Sequence, residues 1–240
     1  VENMRWMFQF AESFNQDIGN WDVSSVNVMR GMFINAQAFN KNLDNWDVSG
    51  VTIMSDMFFN ASSFNQDLDS WDVSSVTDMN QMFQGASSFN GNITTWDVSN
   101  VTNMAGMFTS AQSFNGDIGS WDVGNVSNMA SMFYIASAFN QDIGSWDVSN
   151  VTGTLGMHNM FCNAYAFNQD LNTWDVSNVK TMHQMFLNAS SFNGDISNWD
   201  VSSVSRMSSL FKNATSFNQN LGNWDLTNLN NNSHPFYQGT

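Results

Sequence analysis

Residues 76–100 read VTDMNQMFQGASSFNGNITTWDVSN, and residues 101–125 read VTNMAGMFTSAQSFNGDIGSWDVGN. The two segments agree at Val, Thr, both Met, both Phe, Ala, Asn, Ile and the Trp-Asp-Val run, in one order. Working outward, Trp recurs at Trp21, Trp46, Trp71, Trp96, Trp121, Trp146, Trp174, Trp199 and Trp224, a period of 25 with one step of 28. Nine units run from Val1 to Asn228, so the chain and the repeat are nearly the same object. A fixed period of this length is the signature of a solenoid, whose units cannot bury an apolar face alone and must stack. The irregular step comes from three extra residues within 153–159. After Leu229 the pattern decays, and residues 229–240 read as a degenerate coil or cap, although Phe236 keeps the first Phe position. The first unit opens in phase at Val1 without an atypical capping turn, from which a fragment of a longer protein is expected.

Two periods alternate inside a unit. Ile18, Trp21 and Val23, with polar Asp22 between apolar neighbours, predict a short strand centred on Trp and Asp, parallel to its copies. Met29, Met32, Phe33 and Ala36 fall at i, i+3, i+4 and i+7, which predicts two turns of helix, with Thr52 and Thr77 as caps in their own units.

Ile18-x-x-Trp21-x-Val23 has the L-x-x-L-x-L spacing of a leucine-rich repeat, with Trp in the middle Leu position. The unit from Trp71-Asp72-Val73-Ser74 through Met82-Phe83 to Phe89-Asn90 resembles the BspA-like leucine-rich surface proteins and the lipoprotein-associated repeat of mycoplasmas. The resemblance covers nearly the whole chain. It implies a leucine-rich-repeat-type solenoid at a microbial surface, extracellular or on the cell surface, with adhesion to protein or glycan partners. Two departures are visible: the units have 25 residues where many of that type have 23, and Trp, Met and Phe replace most Leu. No site residue is transferred by the resemblance.

Composition narrows the function. Of 240 residues 42% are hydrophobic and 11% charged, with 21 Phe, 17 Met and 10 Trp. Such a chain can bury a large core and is not compositionally disordered. Six basic residues against 21 acidic ones give a net charge of -15, which disfavours nucleic acid and anionic membranes as partners. No apolar run is long enough to span a bilayer, and the single Cys162 can form no internal disulfide. Neither an initiator Met nor a signal segment precedes Val1, so any targeting peptide is expected to be removed or to lie outside this sequence. No nucleophile, base and orienting group appear together, so an enzyme is not expected.

Each column of the stack then receives a role. The Phe columns, Phe8 through Phe211 and Phe14 through Phe217, the Met columns and the Trp column are expected in the core, each indole N–H finding a carbonyl or side-chain partner. Asn15 and its eight equivalents read as a buried row bonding the backbone of neighbouring loops. Two residues on, Asp17, Asn42, Asp67 and Asn92 interchange, so an acceptor oxygen is needed there and a charge is not. After Trp the residue is always Asp: Asp22, Asp47, Asp72, Asp97, Asp122, Asp147, Asp175, Asp200 and Asp225. An Asx turn through the following Ser is the favoured reading of this acidic row, and no cofactor is expected. A row of Ca²⁺ ions is the alternative, although no calcium-loop motif accompanies it. Ice binding by the hydroxyl-rich flanks is opposed by the charged row.

The position after the first Phe is the variable one: Gln9, Ile34, Phe59, Gln84, Thr109, Tyr134, Cys162, Leu187 and Lys212. Ile34, Phe59, Tyr134 and Leu187 are the expected partner-binding residues, with lateral packing as the rival role. His158, Cys162 and His183 lie near the insertion, which reads as a loop rather than a metal site. Eight N-x-S/T sequons, at Asn60, Asn92, Asn100, Asn125, Asn150, Asn188, Asn213 and Asn231, suit glycosylation in a secreted eukaryotic protein and also arise by chance in an Asn- and Ser-rich repeat. The leading expectation is an extracellular scaffold; the alternative is a structural subunit of a filament or sheath that self-assembles through its coil ends.

Overall fold

A coil of 25 residues must return to its start one step along the stack with its backbone polar groups satisfied. In the computed structural model, which describes residues 1–230, the neighbouring coil supplies the partners. In the second coil the N–H groups of Met29, Gly31, Phe33 and Asn35 donate to the carbonyls of Ile53, Ser55, Met57 and Phe59 at 3.0, 2.9, 2.8 and 2.7 Å. Between them, Met32, Ile34 and Ala36 donate back to Met29, Gly31 and Phe33. Alternate N–H groups therefore run along the stack and around local turns. Parallel bridges follow the column Asn3, Val28, Ile53, Asp78, Asn103 and Asn128.

This geometry corrects the expected coil composition. Among the described residues there is no helix, and isolated bridges take the place of strands. The i, i+3, i+4, i+7 spacing is produced by a different backbone. Two residues per coil take a left-handed conformation, such as Gly31 (φ 61°) and Asn35 (φ 56°), or Asp56 (φ 59°) and Asn60 (φ 54°). Each reversal ends a tight turn and returns the next apolar side chain to the interior. Met29, Met32, Phe33 and Ala36 are buried without an α-helical ladder. The ladder also lies elsewhere than predicted. Turns close on both sides of Trp-Asp-Val, through Trp21 N–H to the Ile18 carbonyl and Val26 N–H to the Val23 carbonyl. That leaves too short a segment for a strand.

The insertion stays local. Gly156 (φ 44°) donates to Gly153 and His158 to Leu155, and the ladder resumes with Ser131 N–H to the His158 carbonyl. The described part of the expected solenoid runs through residue 230; residues 231–240, which include most of the expected cap and Phe236, lie outside the described residues.

The core is three aromatic ladders beside the Met columns. Phe33, Phe58 and Phe83 stack with ring centroids 5.5 Å apart, Phe39 and Phe64 at 6.0 Å, and Trp46 and Trp71 at 6.4 Å, all within 6° of parallel. Within a coil the two Phe columns meet face to face, as Phe108 and Phe114 do at 3.9 Å. Every indole from Trp46 to Trp224 donates to a carbonyl of the preceding coil, for example Trp46 Nε1 to Ile18 at 3.0 Å and Trp71 Nε1 to Leu43 at 3.0 Å. The Trp column thus crosslinks a wall that has few backbone ladder bonds.

Two outcomes follow for stability. Phe114→Ala, a full deletion between three ring neighbours, lowers the unfolding free energy by about 3–5 kcal/mol in urea titration. Ile135 holds φ 59° at a position where every other coil but the first, which has Phe10, places Asn, Ser or Gly. Ile135→Asn relieves about 1 kcal/mol of left-handed strain and raises the melting temperature.

Candidate functional site

The wall formed by the Asn and Asp columns is structural in its bonding. The backbone N–H at each Asn position is received by the side-chain oxygen of the Asn one coil earlier, from Asn40 on Asn15 (3.0 Å) to Asn218 on Asn193 (2.8 Å), in all eight steps. The row is exposed to half-buried rather than buried, because these side chains bond along the rim of the stack. At the Asp/Asn column a side-chain oxygen accepts a backbone N–H either two residues on, as Asp17 does from Gly19, or one coil on, as Asp67 does from Asn92. Either side chain provides that acceptor.

The acidic row sits in Asx turns. In all nine coils the Asp accepts the N–H two residues on, at 3.0–3.1 Å. Asp22, Asp47 and Asp72 also take the Ser hydroxyl at 2.6 Å. The side-chain and backbone bonds from Ser49 hold Asp47 below the usual carboxylate range, and these outweigh the repulsion from Asp22 and Asp72. Asp22, Asp72, Asp97, Asp147 and Asp200 are lowered by the same pair of bonds from their own Ser. An open groove on this side is lined by Asp142, Asp147, Asp170, Asp175 and Asp195. Among the described residues no three or more His, Cys, Asp or Glu side chains are grouped so as to hold a metal ion.

The ladder wall is different in kind. Its inward positions repeat, while its outward columns change from coil to coil. Ile34, Phe59, Tyr134 and Leu187 share one such column and are half-buried. They do not form one patch: Ile34 and Phe59 are on adjacent coils, Gln84 and Thr109 separate them from Tyr134, and Cys162 precedes Leu187. Tyr134 lines a shallow groove with Gln81, Gln84, Thr109, Ser131 and Leu155.

Trp6 and Phe10, 51% and 64% exposed, extend the Ile34 end and were missed as site residues. The available signal was an aromatic residue at both left-handed positions, where Gly31 and Asn35 stand one coil later. A Cβ built on Gly31 would lie 2.7 Å from both Trp6 Cδ1 and Ile34 Cδ1, so the glycine is what lets both side chains lie over it. Arg30 bonds Asp56 there at 3.3 Å, and burial pushes the Asp56 carboxyl up despite that partner. The outward ladder columns hold four of the six Lys and Arg residues, Arg5, Arg30, Arg206 and Lys212, against two of the 21 acidic ones, Asp56 and Asp78. A near-balanced wall therefore backs onto a strongly acidic one.

Near the insertion, His158 and His183 stack with centroids 5.2 Å apart and planes 5° from parallel. Burial is the main cause lowering both imidazole pKa values, and Arg206 adds to it. Cys162 is buried and its thiol is pushed up to about 11. It is an unreactive packing residue.

Compared with known protein families, the chain matches the one described as "Mycoplasma protein of unknown function, DUF285" over residues 1–78, 65–157 and 153–240. The mycoplasmal side of the resemblance noted above is met by this match. No curated protein matches the sequence. Among solved structures, the one titled "Crystal structure of TLR13-ssRNA13 complex" is similar over 85% of this chain and 32% of that chain, at 12% identity and a TM-score of 0.36. The chain thus spans about a third of that chain's length.

The acidic row has a definite pH signature. Carboxylates held low in the folded state bind fewer protons there than in the unfolded chain, so their contribution is complete above the unfolded value of about 3.9 and is lost as pH falls through the folded values. The melting temperature is expected to be level from pH 7 to about 4.5 and to drop below about 4. Asp122→Asn keeps the acceptor for Gly124 N–H and costs less than Asp122→Ala, which loses about 1 kcal/mol. Added Ca²⁺ leaves the melting curve in place; a large calcium-dependent rise would reinstate the cation reading.

Proposed function

The chain belongs to the family described as "Mycoplasma protein of unknown function, DUF285", and from that premise we propose a non-catalytic repeat scaffold that binds a protein or glycan partner through its ladder wall. The supporting observation is where the variation lies. The residue after the repeated Trp is Asp in every coil, while the residue after the first ladder Phe takes eight identities in nine coils, among them Ile34, Phe59, Tyr134, Leu187 and Lys212. A column whose side chain must close its own Asx turn, or bond the next coil as the Asn row does, cannot change freely without losing that bond. Specificity therefore has to reside in columns free of that duty. The interior is filled by the aromatic and Met ladders, and the surface offers open grooves. A broad partner surface suits this shape better than a small-molecule pocket.

The proposed setting is the outside of the cell or its surface, with adhesion as the role. Sparse basic charge opposes nucleic acid as the partner. Among the described residues no helix is long and apolar enough to cross a membrane.

The test compares a ladder-wall variant, Phe59→Ser with Tyr134→Ser, with an acidic-wall control, Asp97→Asn, on immobilised matrix proteins and a glycan array. The double variant is expected to lose at least about tenfold in affinity, a hot-spot-sized effect, while circular dichroism still reports a folded chain. The control is expected to bind as the parent does. Undiminished binding by the double variant, with loss in the control, assigns the function to the acidic wall instead.

A further inference from the structure

One stretch of the ladder wall is hollowed. The position after the first Met carries side chains such as Arg30, Asn80, His158 and His183 in other coils, but two successive coils place Ala105 and Ala130 there. The result is a groove of about 360 Å³, with Gln81 and Gln84 on one side and Tyr134 and the exposed Leu155 of the insertion on the other. A Cβ built on Gly106 would come within 3.1 Å of Gln81 Cγ, so the glycine keeps the floor open. The backbone of that floor is already paired. The N–H groups of Gln81, Gly106 and Ser131 donate to the carbonyls of Ala105, Ala130 and His158 at 2.9, 2.8 and 2.7 Å, and those of Ala105 and Ala130 to the side-chain oxygens of Asn103 and Asn128. What remains to bond a partner belongs to side chains. Gln81 Nε2 donates to Gln84 Oε1 at 2.6 Å, which turns the Gln81 oxygen into a free acceptor and the Gln84 nitrogen into a free donor among the described residues. No charged side chain lines the groove, in a chain with 21 acidic and six basic residues.

We propose that this groove takes one neutral sugar residue of a glycan, an inference that rests on the reading of the ladder wall as the binding surface. A sugar ring has an apolar face and a rim of hydroxyls, each of which donates and accepts. Tyr134 and Leu155 supply the apolar side, and the Gln81–Gln84 pair with the Ser131 and Tyr134 hydroxyls supplies donors and acceptors together. The two walls stand two coil steps apart, about 10 Å at the spacing of paired backbones. The volume lies at the lower end of small-ligand sites, which suits a single ring. Two rival occupants are disfavoured by the same geometry. An extended peptide finds no free main-chain N–H to pair with, so its own carbonyls would lose water without compensation. An acidic sugar would meet no cation in the groove and an acidic protein around it.

The experiment follows the amide spectrum of the full chain during titration with the methyl glycosides of glucose, galactose, mannose, N-acetylglucosamine and N-acetylgalactosamine, and with that of sialic acid as the charged comparator. At least one neutral glycoside is expected to shift the amides of residues 80–84, 105–109 and 130–134 saturably, and the sialoside to shift none of them. A105H fills the groove with a side chain that the same column already holds at His158 and His183. It is expected to weaken that titration by at least about tenfold. Q84A weakens it about fivefold, the size of one hydrogen bond, and D97N on the acidic wall leaves it unchanged. Because a variant can fail to fold, the mapping on the parent chain stands as a test without them. No saturable shift with any neutral glycoside, shifts centred outside the groove, or full affinity in A105H each overturn the site. If the sugar titrations fail while Phe59→Ser with Tyr134→Ser still weakens binding to an immobilised matrix protein, the sugar site falls and the ladder-wall reading stands; loss of that binding in D97N alone removes both.

Discussion

The structure depends on how the backbone of one coil is satisfied by the next. Along the ladder wall every second N–H leaves its own coil for a carbonyl one step further on, and the rest close local turns. Neither a helix nor a long strand permits that division. A helix keeps its bonds to itself, and an extended strand would not bring Met, Met-Phe and Ala back to one interior within eight residues. The left-handed residues at Gly31 and Asn35 and their equivalents resolve the conflict. The aromatic ladders then follow, because in-register coils must place like residues over like. Phe over Phe and Trp over Trp gain contact at the ring spacings observed, where a mixed column would leave gaps.

The same rule that helps aromatic residues works against charges. Stacking nine Asp side chains brings like charges together, and Asp47 feels both neighbours. The Asx turn resolves this by giving each carboxylate a local donor while leaving it in water, and at Asp47 the donors from Ser49 outweigh the repulsion. The Asn row applies a similar device without charge. These columns are thereby committed to fixed local bonds, whereas the ladder wall takes its main inter-coil bonds from the backbone. That wall also holds most of the basic residues, the stacked histidines and the exposed Trp6 and Phe10.

A shared spacing can hide unlike backbones. Met29, Met32, Phe33 and Ala36 have the pattern of one helical face and do share one face. The pattern reports which side chains point inward, and successive tight turns that each contain a left-handed residue satisfy it as well as a helix does. Trp21, Asp22 and Val23 alternate as a strand would, yet the flanking turns confine them. At both places the periodicity was correct about burial and silent about hydrogen bonding.

The sequence by itself determined the repeat, its 25-residue step, the inward columns, the acceptor roles of the Asn and Asp columns, and the column in which variation concentrates. All of these are properties of side chains read at fixed intervals. Only the tertiary structure decided which coil supplies each backbone partner, where the ladder runs, and which variable residues meet. Ile34 and Trp6 both lie over Gly31, while Tyr134 stands apart from Phe59, and the rings of His158 and His183 stack beside the insertion. Such contacts depend on the left-handed turns and on how the three extra residues are absorbed. Those features are set by the balance of bonds between coils, which no single unit of the repeat contains.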